Sequence, residues 1–495
     1  MPSTEDQAFL DWFKAHNGKI DTDSVTLKDF GASEGGRGLV ALRDLPENYD
    51  VFSIPRSLVL STRTSSLPSK IGASKWREYG LHKGWSGLIL CMLWEAAQGP
   101  ASKWNTYFVS MPSKFDVPIL WEDRDLSELQ GTSVVDKLGK ENAEHDYNEK
   151  ILRVVKAFPH IFPTEAIPQH YSLEKFHIMG CRIMSRSFTL EIQEGEEGEG
   201  QSNDNDENEI QPDDGNTSMG SAMDVDHEDD PKQTSEEQDE DEDEEDETEV
   251  VMVPLADFLN ARYQTENVKL FYEPQSLKMV TTRPIQAGEQ IWNTYGDLPN
   301  AELLRRFGHT DLVDLGSGKT GNPGDVVELR ADLVLQSIIE VHPEFENANL
   351  EERIDWWLEA GGDDVFVLDY DELPQDFISF TRLVMNDSEW QKARSKERPP
   401  KPTIDKETLE IIQRVLTKRT SLYPTTLNED EELASNLEAL PLNHKHALIV
   451  RIGEKRILAE HLDKIGTMLK ASIGSGDRKR RREDGTSGNK KKQKQ

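Results

Sequence analysis

The 495-residue sequence is poor in cysteine, with Cys91 and Cys181 alone, and neither lies in a C-x-x-C or histidine-rich setting. This argues against a disulfide framework and a metal site, and it fits a reducing, intracellular compartment. Long apolar runs are also missing. The longest, Leu88–Trp94, has seven residues, where a membrane span needs about 20. Glu5 and Asp6 stand where a secretion signal needs an apolar core, so we expect no export.

Positive charge is scarce as well, with 57 Lys and Arg against 93 Asp and Glu. The imbalance is local: residues 191–249 contain 28 Asp or Glu and one Lys, a net −27, which leaves −9 on the other 436 residues. Such a segment cannot bury enough apolar surface to offset its ordering entropy, so we predict a disordered acidic loop. Two interpretations stay open: solvated filler, or attraction of a basic substrate over the roughly 10 Å that screening allows at 0.1 M salt.

Apolar periodicity divides the rest of the chain into β-rich and helical parts. Short apolar runs separated by turn residues predict hairpins at 25–60 and 250–296. Aromatic and apolar residues at helical spacing predict a helix at 4–17 and a helical block at 85–190, between the two β-rich pieces. The same 3.6-residue periodicity predicts an all-α domain over 326–470.

Three short motifs carry the functional signal: the glycine turn Gly35–Ala41, the segment Pro254–Asn260, and Gly288–Gly296, which ends in Asn-Thr-Tyr-Gly. The helical pattern of Asn300–Gly308 and the block Ser185–Phe188 accompany them. In this order they resemble the SET-domain lysine methyltransferases. The resemblance is to the branch with Rubisco large-subunit methyltransferase, SET-domain-containing protein 6 and the fungal ribosomal-protein lysine methyltransferase 4, the last being nearest.

The resemblance implies an α+β architecture. A β-rich SET domain would span residues 1–310 and contain both the helical insert, about 85–190, and the acidic loop. An all-α substrate-binding domain would follow at 326–470. Separately from the resemblance, lost periodicity and basic composition predict a disordered basic tail at 471–495.

The resemblance also implies S-adenosylmethionine as cofactor. Glycine has no Cβ to block a close approach of the backbone, and this turn is not a dinucleotide G-x-G-x-x-G motif. In the family the turn holds the cofactor through main-chain groups, and Arg186 matches an arginine that approaches the cofactor's carboxylate, for which a guanidinium fork is suited. The alternative for Arg186 is a solvent-facing helix residue. The turn residues are Gly35, Gly36, Arg37 and Gly38.

Asn260, Ala261, Asp257 and Phe307 extend the implied site. Asn260 can hydrogen-bond the cofactor through its amide, or can simply form a turn. The family usually has histidine where this chain has Ala261, so we predict that Ala261 contacts the cofactor without the imidazole that would reach the adenine side. Asp257 matches a substrate contact, although an aspartate that caps the following turn is equally compatible. Phe307 stands where the family has a tyrosine of the lysine channel, and such a Tyr/Phe choice bears on how many methyl groups are added.

The chemistry of methyl transfer gives Tyr295 its predicted role. The nucleophile must be a neutral amine, yet the pKa of free lysine is about 10.4, so the site must desolvate the amine or place positive charge beside it. The cofactor's sulfonium supplies that charge. What remains is a narrow channel that holds the reacting atoms in line. A tyrosine hydroxyl can line it without competing as a nucleophile, so we predict that Tyr295 is catalytic and also contacts the cofactor. Taken alone, it reads as a core tyrosine beside a turn glycine.

We therefore predict a protein-lysine N-methyltransferase that uses S-adenosylmethionine. The nearest relatives act on a large-subunit ribosomal protein, and other members modify a transcription-factor subunit or histones. Two alternatives stay open. One is a non-catalytic SET-type acidic scaffold or chaperone for basic proteins, which Ala261 and Phe307 favour. The other is an enzyme whose acceptor is a histidine.

The basic residues within 478–494 predict a nuclear-localisation signal of bipartite type, bound by an import receptor. A nonspecific polyanion-binding tail is the alternative. We expect a nuclear protein, shared with the cytoplasm at most, with no membrane partner and no specific nucleic-acid partner.

Overall fold

The computed structural model describes residues 2–31, 35–192, 248–316, 318–343, 345 and 350–487, with the backbone alone from 472 onward. The chain forms two units. The first comprises Met1–Val117 and Gly139–Leu298, and the second comprises Pro118–Leu138 and Pro299–Gln495. The boundary thus lies at residue 298, earlier than the predicted 310.

The helices and strands are as follows. The helices are α1 (Thr4–Ala15), α2 (Leu67–Ile71), α3 (Ala73–Glu78), α4 (Ser86–Ala97), α5 (Asn105–Ser110), α6 (Asp123–Leu126), α7 (Ser133–Asp136), α8 (Lys140–Asp146), α9 (Arg153–Ala157), α10 (Ile167–His170), α11 (Leu173–Arg186), α12 (Asn300–Phe307), α13 (Ala331–Val341), α14 (Leu350–Glu359), α15 (Gln375–Met385), α16 (Asp387–Lys396), α17 (Lys406–Ser421), α18 (Leu427–Ala434) and α19 (Leu442–Ser487). The strands are β1 (Lys19–Ile20), β2 (Val25–Asp29), β3 (Arg37–Ala41), β4 (Asp50–Pro55), β5 (Ser187–Glu191), β6 (Thr248–Met252), β7 (Val268–Tyr272), β8 (Ser276–Thr281), β9 (Gln290–Ile291), β10 (Val313–Gly316), β11 (Lys319–Gly321), β12 (Val327–Arg330) and β13 (Val365–Leu368).

The first unit is built on small antiparallel sheets, with strand orders β1-β4-β8-β7, β2-β3-β9 and β5-β6. In β8 the alternate residues Leu277, Met279 and Thr281 are buried, while those between them are half-exposed. This period of two is what a strand with one covered face requires. The predicted β-rich parts, the helical block between them and the α+β fold class are confirmed.

Helix α4 explains the longest apolar run of the sequence. Its residues Ser86–Glu95 are all buried, and Leu88–Trp94 belong to the same apolar core as the sheets. The run is therefore a buried helix of the first unit's core, as its short length predicts. Among the described residues, no helix combines the length and the apolar character that crossing a membrane requires.

The predicted acidic loop begins and ends in paired strands. Strand β5 follows α11 directly and pairs with β6, with Ser187 opposite Met252 and Glu191 opposite Thr248. The predicted boundaries of disorder, 191 and 249, are therefore wrong by one or two residues, because strand pairing extends into both acidic ends. The rest of the predicted loop, 193–247, lies outside the described residues.

The second unit is mainly helical, with strands that the sequence pattern did not indicate. Strand β12 pairs antiparallel with β13, with Val327 opposite Leu368, and β10 pairs with β11. The inward side chains of β12 and β13 join the core of α13, α15 and α17. The prediction of an all-α region at 326–470 is thus correct for its helices and wrong for the β12–β13 pair, whose strands lie too far apart in sequence for local periodicity to report.

The segment Pro118–Leu138, taken from the predicted helical insert, also belongs to the second unit. Trp121, Leu129 and Val134 form an apolar cluster there with residues of α12 and α19. The Arg419 guanidinium donates to the carbonyl of Gly131 at 2.6 Å. The predicted insert is therefore split: its middle packs with the C-terminal helices, and its two flanks pack with the sheets.

Helix α19 runs on to Ser487. The predicted start of a disordered tail at residue 471 is wrong for the backbone of 471–487. Extending an existing helix fixes one residue per added hydrogen bond, so it costs far less than starting one. Residues 488–495 lie outside the described part of the chain.

Candidate cofactor and lysine site

The glycine turn between β2 and β3 has a backbone that other residues adopt poorly. Gly35 and Gly36 have φ angles of +87° and +72°, in the left-handed region that favours glycine. The Gly36 amide donates to the Gly31 carbonyl at 2.8 Å, and its carbonyl accepts from the Phe30 amide at 2.9 Å. These two hydrogen bonds hold Gly36 against Phe30 and Gly31.

The missing side chains of this turn make room for Asn260. A Cβ built on Gly35 would lie 2.8 Å from the Asn260 amide, and one on Gly38 would lie 2.8 Å from Asn260 Nδ2 and 3.2 Å from Gln290 Nε2. A Cβ on Gly36 would meet nothing within 4 Å among the described residues. The structure thus brings together Gly35, Gly38 and Asn260, as predicted, and adds Gln290 to them.

The Asn260 segment is also joined to the turn that carries Tyr295. The Asn293 amide donates to the Asn260 carbonyl at 2.9 Å, and Ala261 forms a parallel bridge with Asn293. Upstream, Leu255 has a φ of +77°, a conformation that costs a non-glycine residue about 1–3 kcal/mol and tends to occur at functional sites. Two of the three sequence motifs therefore cross within hydrogen-bonding distance.

Asp257 lies inside the first unit and not at its surface. It is 3% exposed, and its Oδ2 accepts from the Tyr107 hydroxyl at 2.8 Å. Burial raises the pKa of Asp257 to about 6, against the lowering influence of Arg186 and of the Tyr107 hydrogen bond. These contacts let Asp257 brace Tyr107 and Arg186 inside the unit, and the direct contact with a substrate lysine stays a prediction.

Arg186, the last residue of α11, points toward this aspartate and away from solvent. Its Nη1 donates to the Asp257 carbonyl at 2.5 Å, while its Nε is buried and has no hydrogen-bond partner among the described residues. A buried guanidinium N–H without a partner is suited to an anion. The alternative of a solvent-facing helix arginine is wrong.

The side chain of Arg37 is occupied by the protein itself. Its Nη1 lies 3.4 Å from Asp6 Oδ1, its Nη2 donates to the Ser110 carbonyl at 2.7 Å, and its guanidinium lies 4.1 Å from the centre of the Phe258 ring. Only its main chain is left for a cofactor, which is the role predicted for it. The side chain instead ties the glycine turn to α1 and α5.

Tyr295 and Phe307 fall in different units. Tyr295 is partly buried and packs against the core of the first unit. Its turn is closed by the Gly296 amide, which donates to Thr294 Oγ1 at 2.9 Å. Phe307 ends α12 in the second unit, where its ring lies 6.1 Å from that of His309. The roles of both residues in a lysine channel stay predictions.

The buried polar atoms beside the glycine turn fit a ligand of the predicted kind. Arg186 Nε, Asn260 Nδ2 and both amide atoms of Gln290 are buried without hydrogen-bond partners in the described structure, whereas about nine in ten such atoms are normally paired. The set offers one cationic donor and several neutral groups. It therefore fits a molecule that carries both a carboxylate and uncharged polar groups, as S-adenosylmethionine does.

Comparison with known proteins identifies the family. The sequence profile of the SET domain matches residues 36–296, which is more than half of the chain. The chain belongs to the SET-domain family. The profile named Rubisco LSMT substrate-binding matches residues 345–458, within the second unit of this SET-domain protein. The family predicted from the sequence motifs is confirmed.

Curated relatives and solved structures agree with this assignment. Ribosomal lysine N-methyltransferase 4 of Saccharomyces cerevisiae is 28% identical over 381 residues, 74% of this chain and 68% of that protein. Human N-lysine methyltransferase SETD6 is 25% identical over 456 residues, 86% of this chain and 84% of that protein. The structure of Rubisco LSMT bound to AdoMet has a TM-score of 0.65 at 19% identity and covers 94% of this chain and 93% of that chain, which shows a shared fold.

Sequence reasoning missed two polar side chains of the site. Tyr107 lies 150 residues from the Asp257 carboxylate it contacts, and the sequence holds no signal for that pairing. Gln290 stands in the Gly288–Gly296 motif, between Gly288 and the buried strand residue Ile291. A glutamine in a buried strand position was a usable signal, because strands rarely place an amide inward without a partner.

Proposed function

We propose that this SET-domain protein-lysine N-methyltransferase modifies a lysine of a basic, large-subunit ribosomal protein, with S-adenosylmethionine as methyl donor. The observation that carries the cofactor assignment is the group of unpartnered buried polar atoms beside the glycine turn. Support for a ribosomal substrate comes from the name of the yeast relative, at 28% identity.

The site residues of the first unit would each have a defined part in this reaction. The bound cofactor supplies a sulfonium-linked methyl group, which is the electrophile. Arg186 Nε binds the carboxylate of the cofactor, and the Asn260 amide with the main chain of Gly35–Gly38 binds its remaining polar groups. Asp257 holds the Arg186 end of the site in place through its carbonyl and through Tyr107.

Tyr295 orients the lysine amine. Its hydroxyl accepts from the amine's N–H and leaves the nitrogen lone pair free for attack. The apolar core around the ring disfavours the charged ammonium, so that the neutral amine is reached at a lower pH than in water. These two effects, orientation and desolvation, are what the protein adds to the chemistry of the cofactor.

We also propose that the protein is nuclear. The basic residues within 478–494 supply an import signal, which fits an enzyme that meets ribosomal proteins before they leave the nucleus. Deleting 478–494 from a fluorescent fusion should move it to the cytoplasm. An unchanged nuclear signal would contradict this part of the proposal.

The substrate is tested by labelled methyl transfer. Ribosomal subunits from cells that lack this chain are incubated with the pure protein and isotope-labelled S-adenosylmethionine, and the labelled residue is mapped by mass spectrometry. We expect one labelled lysine in a large-subunit protein, and none with the Tyr295→Phe variant. Label on a histone or a transcription factor, or on a histidine residue, would contradict the proposed ribosomal lysine substrate and identify another acceptor. If the protein does not bind S-adenosylmethionine, the alternative of a non-catalytic acidic scaffold or chaperone would be favoured.

A further inference from the structure

Gln290 is a buried glutamine whose side chain the protein does not use. It is 6% exposed and lies in β9, opposite Val40 of β3. Its main chain is held in place, since its carbonyl accepts from Asn267 Nδ2 at 3.0 Å. Neither Nε2 nor Oε1 has a hydrogen-bond partner among the described residues. The backbone thus presents a carboxamide at a fixed place, with its donor and its acceptor unsatisfied.

This arrangement works against stability. A buried amide without partners loses its hydration and gains nothing in return, and a methionine of similar volume would avoid that loss. A glutamine at this position therefore points to a partner that is absent from the protein alone.

The neighbours of Gln290 indicate where that partner lies. The position of a Cβ on Gly38 is 3.2 Å from Gln290 Nε2 and 2.8 Å from Asn260 Nδ2, so the two amides converge on the same part of the glycine turn. Both are neutral, and each carries a donor and an acceptor. The charged donor of the site, Arg186 Nε, belongs to a different side chain at the end of α11.

We infer that Gln290 binds the cofactor, and that its carboxamide, together with Asn260, recognises uncharged polar groups of the nucleoside half of S-adenosylmethionine. The inference rests on the proposed function for the identity of the ligand. It divides the recognition by charge: Arg186 binds the carboxylate of the amino-acid half, and the paired amides bind adenine or ribose, whose edges offer both donors and acceptors.

Calorimetric titration with two ligands tests this division. S-adenosylhomocysteine has both halves, and 5′-methylthioadenosine lacks the amino-acid half. We expect Gln290→Met to weaken both ligands by the same factor, about tenfold, because one or two hydrogen bonds are lost. Arg186→Met should weaken S-adenosylhomocysteine and leave 5′-methylthioadenosine unchanged.

Gln286→Ala is the matched control, since Gln286 is the same residue type, four residues earlier and exposed. It should bind both ligands as the wild type does. The melting temperature of Gln290→Met without ligand should equal or exceed that of the wild type, because an unpaired buried amide has been replaced by an apolar group. A residue with a purely structural role would lower that temperature.

Three outcomes would overturn the inference: wild-type affinity of Gln290→Met for both ligands, a loss restricted to S-adenosylhomocysteine, or a lowered melting temperature with unchanged affinities. If the methionine variant does not fold, Gln290→Asn keeps the amide but shortens its reach, and wild-type binding in that variant has the same meaning. If the wild type itself binds neither ligand, the proposed function fails and not this inference alone.

Discussion

Two clusters of buried polar side chains, one in each unit, differ in whether the protein itself satisfies their hydrogen bonds. In the second unit, both carboxylate oxygens of Asp430, which is 1% exposed, accept hydrogen bonds. Arg451 and Thr425 donate to Oδ1, and Arg451 and Lys455 donate to Oδ2. We call these residues the paired cluster. Each charge has an opposite charge within 3.2 Å, so the cluster is complete without a ligand.

The first unit contains the opposite case. Arg186, Asn260 and Gln290 keep buried polar atoms with no partner in the described structure. We call these residues the open cluster. The contrast between the paired cluster and the open cluster distinguishes buried polar residues that stabilise the fold from those that bind a ligand. A completed buried network serves the fold, whereas a group of unsatisfied atoms at a glycine turn indicates a ligand.

The paired cluster should be the more costly of the two to break. Asp430→Asn leaves Lys455 buried without a full counter-charge, so we expect the free energy of unfolding to fall by about 3–5 kcal/mol. Denaturant titration followed by circular dichroism measures it. Glu431→Gln is the control, since Glu431 pairs with Arg456 at the surface and should cost less than about 1 kcal/mol. Equal losses in the two variants would contradict the assignment.

Tyr295→Phe should separate binding from turnover. Removal of the hydroxyl leaves the ring packing intact but releases the amine from its orientation, so kcat should fall about 100-fold while the Kd for S-adenosylhomocysteine stays within about threefold. Single-turnover kinetics and calorimetry give the two values, with Tyr49→Phe as a control on an edge of the unit. Full activity of Tyr295→Phe would place the lysine channel elsewhere.

Two buried carboxylates, Asp257 in the first unit and Asp430 in the second, should also differ in their response to pH. The folded Asp257 carboxyl keeps its proton up to about pH 6, whereas its ordinary pKa is 3.8. Its protonation therefore stabilises the fold fully below pH 3.8, and this contribution is lost as the pH rises through about 6. We expect a loss of up to about 3 kcal/mol across that window, measured as the difference between wild type and Asp257→Asn.

Asp430 should show the reverse sign. Burial acts to raise its pKa, but hydrogen bonds from Arg451 and Lys455 outweigh burial and lower it. The stability that this carboxylate contributes is therefore present above its ordinary pKa and is lost as the pH falls through the folded value. If wild type minus Asp257→Asn and wild type minus Asp430→Asn changed in the same direction with pH, the contrast between the two carboxylates would be refuted.

A methyl group added at Gly38 should displace the Asn260 amide of the open cluster and so weaken cofactor binding. Gly38→Ala would place its Cβ 2.8 Å from Asn260 Nδ2, so the amide must move. We expect a loss of about 1–3 kcal/mol of cofactor affinity, read by calorimetry. Gly180→Ala is the matched control: it lies inside α11 with nothing within 4 Å of its Cβ in the described structure, and it should stabilise the protein by about 0.5–1 kcal/mol. Equal affinities in the two variants would contradict the close packing.

The sequence predicted those parts of the site that depend on local chemistry. The glycine turn is readable because Gly35 and Gly36 adopt φ angles that other residues avoid. The turn after Tyr295 is readable because Gly296 closes it. Hairpin β7–β8 follows from alternation and turn residues within 14 positions. Each of these features is decided by neighbours in the chain, so one sequence is enough.

The missed features depend on residues that are distant in sequence. Strand β12 finds its partner β13 more than 30 residues later, and Arg37 reaches Asp6 on α1. The side chain of Gln290, which has no hydrogen-bond partner among the described residues, is the clearest example. An amide is unsatisfied only with respect to everything that surrounds it, so its significance becomes visible once the whole unit has folded.

The β5–β6 ladder has a practical consequence. Arg186 immediately precedes β5 and Asp257 follows β6 by five residues, so this ladder brings the arginine to the carbonyl it contacts. Glu191 and Thr248 already lie opposite each other in the ladder. The number of residues between them therefore does not affect the contact between Arg186 and Asp257. A reporter domain or a protease cleavage site inserted between Glu191 and Thr248 should therefore leave the contact between Arg186 and Asp257 intact.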